Sequence, residues 1–125
     1  MKHICYRMTG TDKAPVGDGD TKSWFEYYKW NAEGEQYVPV KYPFFEGVEP
    51  GDFIWFHMDG FFWGGAPVAR VETPSLPVQT QEVWFDADQM LQVAVRTEPV
   101  FDVGRYLSDE TGNDLLRLSR PRQKD

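Results

Sequence analysis

Residues Val48 to Glu72 limit what this chain can fold into more than any other stretch of it. Glu49-Pro50-Gly51-Asp52 is a turn sequence, and six residues of strand character follow, Phe53-Ile54-Trp55-Phe56-His57-Met58. Asp59-Gly60 then supplies the two residues of a type I′ hairpin turn, whose central positions both need positive φ. Phe61 to Glu72 returns as the partner strand. Gly64, Gly65 and Pro67 loosen it and permit a bulge or the close approach of another group. A chain organised on such a hairpin is organised on a sheet.

The flanking segments extend that sheet. His3 to Met8 reads as a strand, with Ile4, Tyr6 and Met8 on one face and His3, Cys5 and Arg7 on the other. Thr9 to Asp20 holds three glycines, a proline and three aspartates and is a loop. Asp20 offers an N-cap for a short helix over Thr21 to Asn31, which places Trp24, Tyr27 and Tyr28 on one face and leaves Phe25 and Trp30 off it. Gln36 to Val40 is a short strand that Pro39 keeps at an edge. Thr73 to Gln81 is a loop, Val83 to Phe85 a short strand, and Leu91 to Thr97 a strand with Leu91, Val93 and Val95 inward. Asp102 caps a last short helix through Leu107, and Gly112-Asn113 breaks the chain before the tail. The expectation is an α+β fold, mostly strand, forming one domain over residues 1–125.

Charge and composition exclude several functions. Thirteen basic residues against 20 acidic ones give a net charge of −7, so a basic nucleic-acid clamp is not the default. The charge is uneven, however. Residues 1–114 carry 9 basic and 19 acidic groups, a net of −10, whereas the segment over 115–125 carries Arg117, Arg120, Arg122 and Lys124 as a basic C-terminal tail. No apolar run is long enough for a membrane span, the N-terminus has no signal-peptide pattern, and Cys5 is the single cysteine. Together these point to a cytoplasmic protein without membrane contact.

The usual catalytic sets are absent. No C-x-x-C, H-E-x-x-H, G-x-S-x-G or P-loop is present, so neither a metal nor another cofactor is expected. His3, Cys5 and His57 read as ordinary strand residues. Asp18 with Asp20, Glu33 with Glu35, and Asp86 with Asp88 read as solvated loop acids. Lys22 and Glu26, at i and i+4, suit a surface ion pair.

Aromatic residues carry the sharper signal. They form 16% of the chain, and 15 of the 20 lie between Trp24 and Trp63. A small core needs only a few rings, so the surplus suits a pocket for a planar ligand such as a nucleobase, which stacks at about 1–3 kcal/mol. Trp24, Tyr28, Trp30, Trp55 and Trp84 are the candidate rings, with Asn31 or Asp86 reading a polar edge. Trp55 and His57 alternate against Ile54 and Phe56, and either set can face inward. Pocket and core therefore both remain open for these rings.

Pro50-Gly51-Asp52, the strand through His57, the turn, and Gly64-Gly65-Ala66-Pro67-Val68-Ala69-Arg70-Val71-Glu72 together resemble the PUA-like superfamily, and within it EVE and ASCH domains. Val93 to Arg96, Glu98-Pro99-Val100 and Leu115 to Arg120 resemble the closing strand and tail of an EVE domain. The resemblance implies a small mixed, partly open β-barrel with two or three short helices that binds RNA or DNA. It implies non-catalytic capture of a modified or flipped base by Trp24, Trp30, Asn31, Trp55 and Trp84. Beside it, Arg96, Arg105, Arg117, Arg120 and Arg122 are the candidates for a local basic groove that contacts phosphates. An ASCH-like hydrolase of modified nucleosides is the enzymatic alternative, with Thr21, Lys22 and Glu26 nearest to its motif. A third reading is a protein-interaction module that uses Phe61, Phe62 and Trp63 at the hairpin tip, or Phe44-Phe45.

Overall fold

The computed structural model describes residues 1–7, 32–41, 47–58, 60–73, 80–96 and 106–122. The helix expected over Thr21–Asn31, the loop before it and the helix start at Asp102 lie outside these residues. The described strands are β1 (His3–Arg7), β2 (Glu35–Lys41), β3 (Phe53–Met58), β4 (Phe61–Glu72), β5 (Thr80–Asp86), β6 (Leu91–Arg96) and β7 (Arg120–Pro121). A 3₁₀ turn, Ala87–Gln89, separates β5 from β6, and one α-helix, α1 (Asp109–Leu118), precedes β7.

The hairpin forms as the sequence demands. Asp52 N–H closes the turn on the Glu49 carbonyl at 3.1 Å, with Gly51 at φ +93 where only glycine is unstrained. The Asp52 carboxylate then accepts from the backbone N–H groups of Lys2 and Glu49, both at 2.9 Å, and so ties the start of β1 to the turn. Met58 pairs with Phe61 across the two-residue connection, and Gly60 has φ +77.

Strand β4, twelve residues long, organises the sheet. Its first half pairs with β3 on one edge and β6 on the other, and its second half pairs with β5. The path runs β1-β3-β4-β5-β2, with β6 on β4 and β7 on β6; β1 lies parallel to β3 and the other pairings are antiparallel. Register shifts beside Trp63 and Ala69 mark bulges that bend β4. Among the described residues the sheet is mixed and does not close into a barrel.

Alternation along the strands divides the apolar residues between two faces. Ile4, Ile54, Phe56, Ala66, Val68, Val83 and Phe85 form one cluster with Val38 and Val40. Cys5, Phe53, Trp55, Phe62 and Val93 form the other, and α1 covers it with Leu115. Helix α1 corrects two expectations, because Leu107 precedes the helix and Gly112-Asn113 lies within it. Ser108 supplies the N-cap, its hydroxyl accepting from Thr111 N–H at 3.2 Å, and Asp109 and Glu110 favour the first turn. Gly112 does not break the helix because it is packed: a Cβ there would lie 2.2 Å from the His3 ring. The described residues contain one α-helix and one 3₁₀ turn, and no helix long and apolar enough to cross a membrane.

Candidate functional site

The sequence singles out five rings, and the structure separates the two that it describes. Trp55 is wholly buried, its indole against Phe53 (ring centroids 4.6 Å apart) and over Gly65, where a Cβ would lie 2.3 Å from the ring. Its Nε1–H donates to Nδ1 of the buried His3 at 3.0 Å. A buried N–H needs such an acceptor. Burial, the largest cause, holds the His3 pKa below its ordinary value, which suits a neutral imidazole accepting at Nδ1; nearby Asp109 and Asp52 pull the other way. Trp55 is therefore core. A ring with no exposed surface does not stack on a base, and its assignment to the base pocket is corrected.

Trp84 is placed differently. Its strand neighbours Val83 and Phe85 point inward, so its ring faces out from β5. Tyr37 lies opposite it on β2 and Arg70 opposite it on β4. The three side chains form a row across three strands. The Tyr37 and Trp84 ring centroids are 4.8 Å apart, and the Arg70 guanidinium sits 4.1 Å from the centre of the Trp84 ring. Arg70 also pairs with Glu35 at 3.2 Å and with Glu72, while Trp84 Nε1–H donates to Glu82 at 3.3 Å. Tyr37 is 45% exposed, one of the few large rings so placed among the described residues.

A shallow groove of about 310 Å³ is lined by Phe53, Pro67, Leu91, Pro121, Asp88 and Arg122. Its volume is at the small end of ligand sites. Arg122 donates to the carbonyls of Ala32 and Ala87, so this side chain ties the tail to the 3₁₀ turn.

The other arginines are scattered over the surface. Arg96 lies over the Phe61 ring at 5.2 Å, Arg117 is 3.7 Å from Asp114 on α1, and Arg120 is exposed on β7. Trp24, Tyr28, Trp30, Asn31, Thr21, Lys22, Glu26 and Arg105 lie outside the described residues, as do Phe44 and Phe45. At the hairpin tip Phe62 is wholly buried and packs edge-on against His57 (4.9 Å), while Phe61 and Trp63 are half-buried. The triplet is therefore not exposed as a whole: Phe62 belongs to the core, and Phe61 and Trp63 lie together with centroids 5.2 Å apart.

Tyr37 and Arg70 are site features that sequence reasoning did not single out. The signal was present, because Glu35, Tyr37 and Pro39 alternate with Val38 and Val40 on β2 and so share the outer side with Trp84. Among the described residues no three His, Cys, Asp or Glu side chains come together as a metal site. No known family model, curated protein or solved structure matches the chain.

Proposed function

We propose that this chain is a non-catalytic binding domain for a nucleobase, modified or flipped out of RNA or DNA, built on a PUA-like sheet. The observation that carries the reading is the Tyr37–Trp84 pair on the outer side of the sheet. Two rings that the core does not use, tilted 38° to each other with an arginine beside them, offer aromatic surface to a planar ligand, which gains about 1–3 kcal/mol per stacked base. The mixed sheet and the hairpin support it, since both are features that the PUA-like resemblance implies.

The experiment is a titration of tryptophan fluorescence with nucleosides and short oligonucleotides. Saturable, base-selective quenching that Tyr37→Ala and Trp84→Ala remove is the expected result. A flat response at millimolar nucleoside contradicts the proposal.

A further inference from the structure

We infer that the Tyr37–Trp84 row selects a nucleobase carrying a positive charge, such as one alkylated on a ring nitrogen; this rests on the base-binding reading above. The chain itself shows what this surface holds. The Arg70 guanidinium, a planar delocalised cation, has its central carbon 4.1 Å from the centre of the Trp84 ring while its Nε–H and Nη1–H groups donate to two carboxylates, Glu35 and Glu72. A third carboxylate, Glu82, accepts from the Trp84 indole N–H. Three acids are thus tied to a row that contains one cation, and the face of each ring carries partial negative charge.

A cationic base reproduces the geometry of the guanidinium. Its ring stacks, and its positive charge lies beside carboxylate oxygen. The side chains of Arg70, Glu35 and Glu72 are 41%, 49% and 44% exposed, so their pairing is screened by water and readily exchanged for contacts to a ligand. A neutral base gains only the stacking. A phosphate gains nothing from this rim, because like charges face it. The acidity of the surface, which opposes a nucleic-acid backbone, favours this ligand class.

The probe is 1-methyladenosine, cationic at neutral pH, against adenosine, each titrated into the full chain while tryptophan fluorescence is read. The expected result is roughly tenfold tighter binding of the methylated nucleoside, with the preference reduced to within about twofold in Glu35→Gln/Glu72→Gln. Both substitutions are at exposed positions, and a circular-dichroism spectrum confirms that the variant is folded. Equal affinities in the wild-type chain overturn the selection of a cation and leave base binding standing, as does a preference that survives in the double variant. No saturable quenching by either nucleoside overturns both.

Discussion

Trp55 and Trp84 look alike in the sequence, each a tryptophan between two apolar residues in the middle of a strand. The fold treats them in opposite ways. Trp55 is closed on every side, with Gly65 beneath its ring, Phe53 beside it and its N–H on a buried imidazole. Trp84 stands between Tyr37 and Arg70, with its N–H on a carboxylate. What separates them is cover. Helix α1 covers the sheet face that holds Trp55, and β1 flanks β3 within the sheet, whereas the row across β2, β5 and β4 carries charged side chains that core packing excludes. Among the described residues, a tryptophan on a strand therefore joins the core where a distant element is folded over it.

The contrast breaks most visibly at Trp55. Trp55→Ala should cost about 3–5 kcal/mol in urea unfolding, the usual price of deleting a buried ring, whereas Trp84→Ala should cost less than about 1 kcal/mol. Next comes Gly112→Ala, which forces a methyl into the His3 ring and should cost about 2–3 kcal/mol by overpacking. The same measurement on Asn113→Ala, exposed on the same helix, should show little change.

Acidity sharpens the comparison further. Burial lowers the pKa of His3 and also of His57, where Arg7 adds to the effect. Unfolding lets both imidazoles bind protons that the fold resists. Stability is thus complete above the ordinary histidine value of about 6.5 and falls as the pH drops through it towards the lowered values. The urea midpoint should be lower at pH 5 than at pH 7.5, and His3→Gln, which keeps an acceptor for Trp55, should flatten that slope. A further effect lies outside both regions. Ala94 occupies φ +53 at an exposed bulge of β6, so Ala94→Gly should raise stability by about 1 kcal/mol.

Local chemistry made the hairpin legible, because Pro-Gly-Asp, Asp-Gly and the two glycines each act within a few residues of themselves. The two faces of β1 and β3 were legible for the same reason. That both faces of β3 are covered was not, because the cover over Trp55 comes from Leu115 and Gly112, more than fifty positions away. Helix α1 was misread at Gly112-Asn113 because its glycine answers to the His3 ring and not to helix propensity. Tyr37 was passed over because β2 was read only for its proline, and its partners arrive on β5 and β4.

The most direct measurement follows the tryptophan indole N–H resonances in a ¹⁵N–¹H spectrum while nucleoside is added. The Trp84 resonance should shift saturably, and the Trp55 resonance, bonded to His3 inside the core, should stay in place. Movement of Trp55 with Trp84 unmoved, or no movement of either, would contradict the division between closed core and open row.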